Sequence, residues 1–324
     1  MQLATRRRAP SARRGSHLPP SGRGGGGSLD AVRRLPRAPD RADGSGVAEP
    51  TSPGTGEVDG LGRPEGARRR GRATAFRSLA VLALAATLLG LAPVQERTTV
   101  FLVGDSTMAD KPDPDHNPER GWGQLLPRFL DGAVTVRNAA VNGRSSKSFI
   151  DEGRWSAVLG QIHPGDVVLV QFGHNDEKVH DPTRYTDAET GYRRNLARYV
   201  AEARAKGAAV VLLTPIVRRQ WNAAHALEDT HGAYPAAMRR VATEMRVPLI
   251  DLQRATETLV ARAGEEGSKA LYVWAAPGEY AMYPAGRRDD THLSLRGATE
   301  VARLAAEGLR RLDLPLARHV RPDR

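Results

Sequence analysis

The chain has 324 residues and a net charge of +11, and it contains no cysteine. The charge is uneven: residues 1–77 hold 16 of the 48 basic residues and 7 of the 37 acidic ones, which leaves the remainder almost neutral. We therefore expect no nucleic-acid partner for the folded part, because the excess basic charge is confined to residues 1–77. Without cysteine there are no disulfides, and the fold must rest on its hydrophobic core.

Residues 1–77 are rich in Arg, Gly, Pro and Ser and have little apolar surface to bury, so we predict that they are disordered. Two interpretations remain open. The segment is either a basic arm for RNA or a membrane surface, or the product of a start codon assigned too far upstream. We favour the second because the segment that follows has the pattern of an N-terminal signal.

Residues 78–97 are predicted to be the apolar core and cleavage region of a secretory signal. Arginines between Arg68 and Arg77 precede an apolar run of 15 residues, Ser78 to Ala92, which ends in small residues. A membrane span needs about 20 residues, so this run is short for one. We expect a secreted protein that meets the membrane only during export, with an uncleaved membrane anchor as the alternative. Residues 98–324 are then a single domain.

The exported part alternates short apolar runs with helical patterns. Strands are predicted at Thr99–Val103, Val134–Asn138, Val167–Phe172, Ala209–Thr214 and Pro248–Asp251. Helices are predicted at Gly123–Leu130, Trp155–Leu159, Tyr192–Lys206, Ala233–Met245, Thr256–Ala263 and Leu295–Leu309. This alternation predicts an α/β fold, a three-layer α/β/α sandwich around a mostly parallel five-stranded sheet. Ligands of such sheets bind beyond the carboxyl ends of the strands.

Polar segments stand at those strand ends. Gly104-Asp105-Ser106 follows the first strand, Gly143 lies in the segment after the second, and "GHND" follows the third. Asp289 and His292 lie in "RRDDTHLSLRGA", which we predict to be a loop that leads into the last helix. A parallel sheet brings all four segments to one edge.

These residue types are suited to acyl transfer. The Ser106 hydroxyl needs a base, His292, and the base needs an orienting group, which Asp289 can supply across one turn. The developing oxyanion needs donors, and the backbone N–H groups of Ser106 and Gly143 and the side chain of Asn175 are the candidates. Taken alone, each segment is more often a capped turn, a left-handed loop glycine or a pair of surface residues, but the four together in this order favour a hydrolase.

Two further residues of "GHND" receive structural interpretations. His174 is expected to be a loop histidine whose ring is satisfied by a neighbouring backbone group, and it is assigned no chemical step. Asp176 is expected to buttress the loop.

In this order, "VGDSTMAD", "NAAVNGRSSKS", "FGHNDEK" and "DDTHLSLRGA" resemble the four blocks of the GDSL-type, or SGNH, hydrolase superfamily. With "RGWGQLL", they resemble more narrowly its rhamnogalacturonan acetylesterase group, and the similarity extends from about Thr98 to about Leu309. The resemblance implies a flavodoxin-like fold, Ser106 as nucleophile and a triad completed by Asp289 and His292. It also implies Gly143 and Asn175 as oxyanion-hole donors.

Candidate substrate-binding residues surround these segments. Arg218, Arg219 and Trp221 follow the fourth strand, where a Trp can stack on a sugar ring and an Arg can pair with a uronate carboxylate. A solvated loop with one Trp folded back on the domain is an equally good interpretation. Arg144 and Lys178 lie beside the catalytic segments and mildly favour an acidic substrate.

We expect neither a metal nor another cofactor, because His180, His225 and His231 lack a ligand-like spacing with carboxylates. The predicted function is an exported serine esterase that removes O-acetyl groups from a cell-wall polysaccharide, with pectic rhamnogalacturonan favoured. The sequence leaves the oligomeric state open, and we favour a monomer. The alternatives are a lipase or broad acyl-ester hydrolase, which the charged loops disfavour, and a glycan O-acetyltransferase. A non-catalytic glycan-binding module is disfavoured by the complete triad.

Overall fold

The structure, a computed structural model, describes residues 97–322. The predicted disordered tail, residues 1–77, and the predicted export signal up to residue 96 lie outside the described residues. Among residues 97–322, no helix combines the length and the apolarity needed to cross a bilayer.

The strands, in chain order, are β1 (Thr98–Gly104), β2 (Glu119–Arg120), β3 (Val134–Asn138), β4 (Val167–Gln171), β5 (Ala209–Leu213), β6 (Leu249–Ile250), β7 (Tyr272–Ala275) and β8 (Arg287–Ser294). The α-helices are α1 (Trp122–Leu125), α2 (Ser146–Asp151), α3 (Arg154–Leu159), α4 (Arg193–Ala205), α5 (Ala233–Met245), α6 (Leu252–Gly267) and α7 (Leu295–Arg310).

The central sheet has the order β3-β1-β4-β5-β6 and all its neighbouring strands run parallel. Strands β1, β4 and β5 are mostly apolar because helices cover both faces, whereas the edge strand β3 also carries polar side chains. Val100 and Leu102 pack into a core shared with α1, α6 and α7. Phe101 and Val103 point to the opposite core, shared with α2 to α5. The predicted three-layer α/β/α sandwich is confirmed, and its strand order is the flavodoxin-like one.

The predicted strands agree with the structure to within a residue or two at their ends. Two helical predictions change. Gly123–Leu130 is divided into α1 and a 3-10 turn, Leu126–Phe129, which has Pro127 in its first turn. The predicted helix Thr256–Ala263 starts earlier, at Leu252, because the Asp251 carboxylate caps it by accepting from the Arg254 backbone N–H at 3.4 Å.

The sequence did not predict a second sheet. β8 lies between β2 and β7, antiparallel to both. The prediction that Asp289 and His292 lie in a loop is therefore wrong, since both are on β8. The strand escaped detection because "RRDDTHLS" is polar and lacks apolar alternation. Its pairing with β7 is also irregular, since the register shifts between Asp289 and Leu293. Helix α2 was also missed, although Ser145 and Ser148 form a capping box at its start.

Candidate active site

The loop after β1 presents Ser106 on a tightly held turn. The Asp105 carboxylate accepts from the Thr107 backbone N–H at 2.9 Å and from the Thr107 hydroxyl at 2.8 Å. The strand ends in glycine for a steric reason: a Cβ on Gly104 would lie 2.8 Å from the backbone oxygen of Gln171 on β4. The close approach of β1 and β4 therefore continues up to the residues that carry Ser106.

Three side chains form a hydrogen-bonded series at this edge of the sheet. Ser106 Oγ lies 2.9 Å from His292 Nε2, and His292 Nδ1 lies 2.9 Å from Asp289 Oδ2. The imidazole is 27% exposed, so it faces both the serine and the solvent. An ionised Asp289 accepts a hydrogen bond from Nδ1–H, which leaves Nε2 able to accept a hydrogen bond from the Ser106 hydroxyl.

Asp289 is held in its charged form by its surroundings. Burial on its own would raise the pKa of the carboxyl, but hydrogen bonds from His292 and Arg287 hold that pKa well below its usual range. Oδ1 accepts from the backbone N–H groups of Thr291 and His292, each at 2.9 Å. Oδ2 also accepts from the Arg287 guanidinium at 2.7 Å. The carboxylate is thus fixed by donors on both of its oxygens.

The two candidate oxyanion donors lie on loops that border the same strand end. The Val141 backbone N–H donates to the Gly104 oxygen at 3.0 Å, which fastens the loop after β3 to β1. Gly143 on that loop has a φ of +75°, a conformation that favours glycine. Asn175 is buried and donates from Nδ2 to the Arg144 oxygen at 3.1 Å. This bond fixes its amide plane, and the amide has a second N–H.

Asp176 buttresses this region, as expected. Its carboxylate accepts from the Ser146 backbone N–H at 3.1 Å and from the Thr186 hydroxyl at 2.9 Å. Burial raises its pKa to about 7 against these donors. The contacts join the "GHND" loop to the first turn of α2.

His174 differs from its expectation. Neither ring nitrogen has a hydrogen-bond partner among residues 97–322, so the prediction of a backbone partner is wrong. Instead, Nδ1 lies 3.3 Å from Asp105 Oδ2, and the ring packs edge to face on His231 with centroids 4.6 Å apart. Burial lowers the pKa of His174 to about 4, so the ring is neutral at neutral pH. The His174 ring is buried, next to Asp105, the residue that precedes Ser106.

The predicted substrate-binding residues are divided by the structure. Arg219 is 6% exposed, pairs with Asp290 at 2.8 Å and lies 4.8 Å from the ring centroid of Trp274, so no substrate reaches its guanidinium. Trp221 packs against the core, and its indole nitrogen is buried without a partner in the described part of the chain. The loop therefore folds back on the domain at these two residues, and both side chains contact the domain itself.

The other three predicted residues stay nearer the surface. Arg218 is partly buried by an ion pair with Glu177. Arg144 is partly exposed and pairs with Glu152 at 2.9 Å. Lys178 is exposed on the loop that follows Asn175. Within residues 97–322, no group of three or more His, Asp and Glu side chains could hold a metal ion.

Sequence reasoning missed three charged residues at the site. Arg287 contacts the Asp289 carboxylate, and the period of two along β8 would have placed it beside Asp289 had the strand been recognised. Glu119 Oε1 lies 4.0 Å from His292 Nε2, and Lys111 pairs with Glu119. No sequence signal links Glu119 to His292, because their proximity depends on the pairing of β2 with β8.

Known proteins share this chain's sequence pattern over most of the described region. A sequence profile of the GDSL-like lipase/acylhydrolase family matches residues 102–300. The chain belongs to this family. GDSL-like membership makes the protein a carboxylic ester hydrolase, and its central parallel sheet is the α/β arrangement expected for the family.

Two relatives of this GDSL-like chain come from Bacillus subtilis (strain 168). The rhamnogalacturonan acetylesterase RhgT is 44% identical over 221 residues, which are 68% of this chain and 93% of that protein. YesY, named a probable rhamnogalacturonan acetylesterase, is 39% identical over 225 residues, 69% of this chain and 98% of that protein. The crystal structure of YxiM from Bacillus subtilis matches with a TM-score of 0.57 at 28% identity, over 66% of this chain and 56% of that one.

Proposed function

We propose that this protein is a secreted serine acetylesterase that removes O-acetyl groups from rhamnogalacturonan. The observation that carries the proposal is the series from Ser106 Oγ through His292 to Asp289, with both hydrogen bonds at 2.9 Å. Further support comes from RhgT and YesY, whose names state or suggest this activity.

In the first half-reaction, His292 Nε2 removes the hydroxyl proton as Ser106 Oγ attacks the acetyl carbonyl carbon. The charge that develops on the carbonyl oxygen is stabilised by N–H donors of Ser106, Gly143 and Asn175. Collapse of this intermediate breaks the bond between the acetyl carbon and the sugar oxygen, which takes the proton from His292. The products are a free sugar hydroxyl and an acetyl ester on Ser106.

In the second half-reaction, water attacks the acetyl-enzyme while His292 accepts its proton. The same donors stabilise the second oxyanion, and collapse returns the proton to Ser106 Oγ and releases acetate. Asp289 stays ionised throughout and stabilises the imidazolium in both halves. The hydrogen bonds from the backbone and from Arg287 that lower its pKa suit it to this role.

The cations at the rim support an acidic substrate. Arg144 follows Gly143 directly, and Lys178 lies on the loop after Asn175, so both stand beside the candidate oxyanion donors. Arg218 is less accessible, because it is paired with Glu177. Rim charges of this kind attract a polyanion such as a uronate-containing polysaccharide.

The test is acetate release from acetylated rhamnogalacturonan, homogalacturonan and xylan, by wild-type protein and by the Ser106→Ala variant. We expect the highest kcat/KM on rhamnogalacturonan and no measurable turnover by a folded Ser106→Ala variant on any substrate. Equal rates on all three polysaccharides would reject the substrate assignment. A folded Ser106→Ala variant with wild-type activity would reject the nucleophile.

Export is the second part of the proposal, and it is supported by the arginine-rich and then apolar pattern before residue 97. We expect the mature enzyme to begin between about Ala92 and Thr98 and residues 1–77 to have no part in catalysis. N-terminal sequencing of secreted, active protein tests this. Recovery of the arginine-rich tail on the active enzyme would contradict it.

A further inference from the structure

A buried cation lies beside the reacting groups, outside the series of Ser106, His292 and Asp289. The side chain of Lys111, on the loop that follows Ser106, is 2% exposed. Its Nζ lies 2.7 Å from Glu119 Oε1 and donates to Asn142 Oδ1 at 2.6 Å. Burial of an ammonium group is costly unless it is paired, so these two contacts make its burial possible.

The two partners of Lys111 belong to different parts of the site. Glu119 is on β2, which pairs with the strand of His292, and its Oε1 lies 4.0 Å from His292 Nε2. Asn142 directly precedes Gly143 on the loop after β3. Lys111 lies on the loop that carries Ser106. Through its ammonium group, it contacts both the carboxylate next to His292 and the loop that carries Gly143.

We propose that Lys111 is a positioning residue of the esterase reaction, which neutralises Glu119 beside His292 and holds the oxyanion loop through Asn142. The inference rests on the proposed function, because it takes His292 as the base and Gly143 as a donor. It adds Lys111, Glu119 and Asn142 to the residues that shape the site, and none of the three forms a hydrogen bond with Ser106 or His292.

The charges around the imidazole make the first part of this role measurable. Asp289 and Arg287 come from its own strand, Glu119 from β2 and Lys111 from the nucleophile loop. Tyr283, from the connection between β7 and β8, lies against Arg287, with the guanidinium 5.5 Å from its ring centroid. Within this set, Lys111 is the cation paired with the carboxylate on the Nε2 side.

Removal of one member of the pair should therefore change the pH at which the enzyme becomes active. In Lys111→Met, the uncompensated Glu119 carboxylate favours the imidazolium, so the acid limb of kcat/KM should move up by about one to two pH units. In Glu119→Gln, the uncompensated ammonium should move the limb down. The double variant Lys111→Met/Glu119→Gln has no net change in charge, and its limb should return to within about 0.3 units of wild type.

The link to Asn142 makes the second part measurable. On the plateau of the pH profile, where the charge effect is absent, loss of the bond from Nζ to Asn142 should lower kcat about tenfold with KM unchanged. The double variant should not recover this loss, since it too lacks the ammonium group. A residue that only stabilises the fold would change the melting temperature without separating kcat from KM.

The experiment uses a soluble acetyl ester, with Lys147→Met as the matched control. Lys147, on α2, donates from Nζ to the Pro182 oxygen and not to Glu119 or Asn142, so Lys147→Met removes the same charge and should leave the pH profile unchanged. The inference would be overturned if Lys111→Met and Glu119→Gln had the same acid limb of kcat/KM as wild type and the same plateau kcat. If Lys111→Met fails to fold, the direction of the Glu119→Gln shift decides. Ser106→Ala is assayed in parallel. An active Ser106→Ala variant would contradict the proposed esterase mechanism, whereas an inactive one leaves the role of Lys111 as the only proposal under test.

Discussion

The protein contains two Asp–His pairs near Ser106, and they have opposite environments. Asp289 and His292 are close neighbours on β8, their hydrogen bond measures 2.9 Å, and the imidazole is 27% exposed. Asp105 and His174 come from two loops at the ends of β1 and β4, are 0% and 3% exposed, and approach to 3.3 Å. The carboxylate oxygen and ring nitrogen of this second pair make no proper hydrogen bond to each other or to another residue in the range 97–322.

The comparison shows that an Asp and a His close to each other are not sufficient for catalysis, because their hydrogen-bond partners decide what the pair can do. Asp289 receives two backbone N–H groups and Arg287, which fix the carboxylate and orient the ring, and the free nitrogen of His292 faces Ser106. His174 has no comparable donor or acceptor, and burial keeps it neutral. Its ring fills space behind the nucleophile and the candidate oxyanion donor. The first pair is arranged for proton transfer and the second for support.

The largest expected difference between the pairs is in kcat. His292→Ala removes the base and should lower kcat by about 10⁴- to 10⁶-fold with an unchanged melting temperature. His174→Asn retains a polar group near the position of Nδ1 and should keep most of the activity while it destabilises the fold by about 1 kcal/mol. Acetate release and thermal unfolding of both variants provide the measurement. If His174→Asn were as inactive as His292→Ala, the assignment of a supporting role to His174 would be wrong.

The second largest effect on kcat is expected at Asn175. This residue directly follows His174, so it tests whether the loop that carries the buried histidine also contributes to the reaction rate. Its donor should act in the transition state, so Asn175→Ala should lower kcat about 10²- to 10³-fold with little change in KM. The competing role is a structural cap, through its bond to the Arg144 oxygen. A variant that melts several degrees lower and keeps normal kcat at a permissive temperature would establish the cap.

The sequence was a good guide to the first pair and a poor one to the second. β1, β4 and β5 are short apolar runs bounded by polar or turn residues, which is the pattern of strands buried in a parallel sheet. Their ends, and with them Ser106 and Asn175, could therefore be placed from the sequence. Asp289 and His292 were paired from their local spacing even though their secondary structure was wrong. Residues three apart on a regular strand face opposite sides of the sheet. The two side chains still meet because β8 pairs irregularly between Asp289 and Leu293, and the Asp289 carboxylate accepts from the backbone N–H groups of Thr291 and His292.

Long-range contacts between polar residues escaped prediction for one physical reason. The approach of His174 to Asp105, and of Lys111 to Glu119, depends on how loops from different strands pack, and no local periodicity encodes it. Arg218 and Arg219 illustrate the same limit. They are adjacent in sequence, yet one pairs with Glu177 and the other with Asp290 beneath Trp274.

The buried pair should also reveal itself in the pH dependence of stability. Burial lowers the pKa of His174 from 6.5 to about 4, so between these values the unfolded chain binds a proton that the folded one does not. Stability is then lost as the pH falls from 6.5 to 4, by up to about 3 kcal/mol from this residue. Urea unfolding across this range should give a flatter slope for His174→Asn. The exposed His180→Asn is the control, and an equal flattening there would refute the assignment.

The smallest expected effect concerns the donor that only the first pair has. The Arg287 guanidinium donates to Asp289 Oδ2 at 2.7 Å, but its side chain is 46% exposed, so solvent screens the interaction. Exposed ion pairs contribute about 0–1 kcal/mol, which corresponds to at most about a fivefold change in rate. Arg287→Ala should therefore lower kcat severalfold at most, because the two backbone N–H groups still hold the carboxylate.

Arg288→Ala is the matched control, since the neighbouring guanidinium lies 5.6 Å from the ring centroid of Trp274 instead of contacting Asp289. A loss of 100-fold or more in Arg287→Ala alone would mean that this guanidinium, and not the backbone of β8, fixes the orientation of Asp289, and the difference between the two Asp–His pairs would then depend on one exposed side chain.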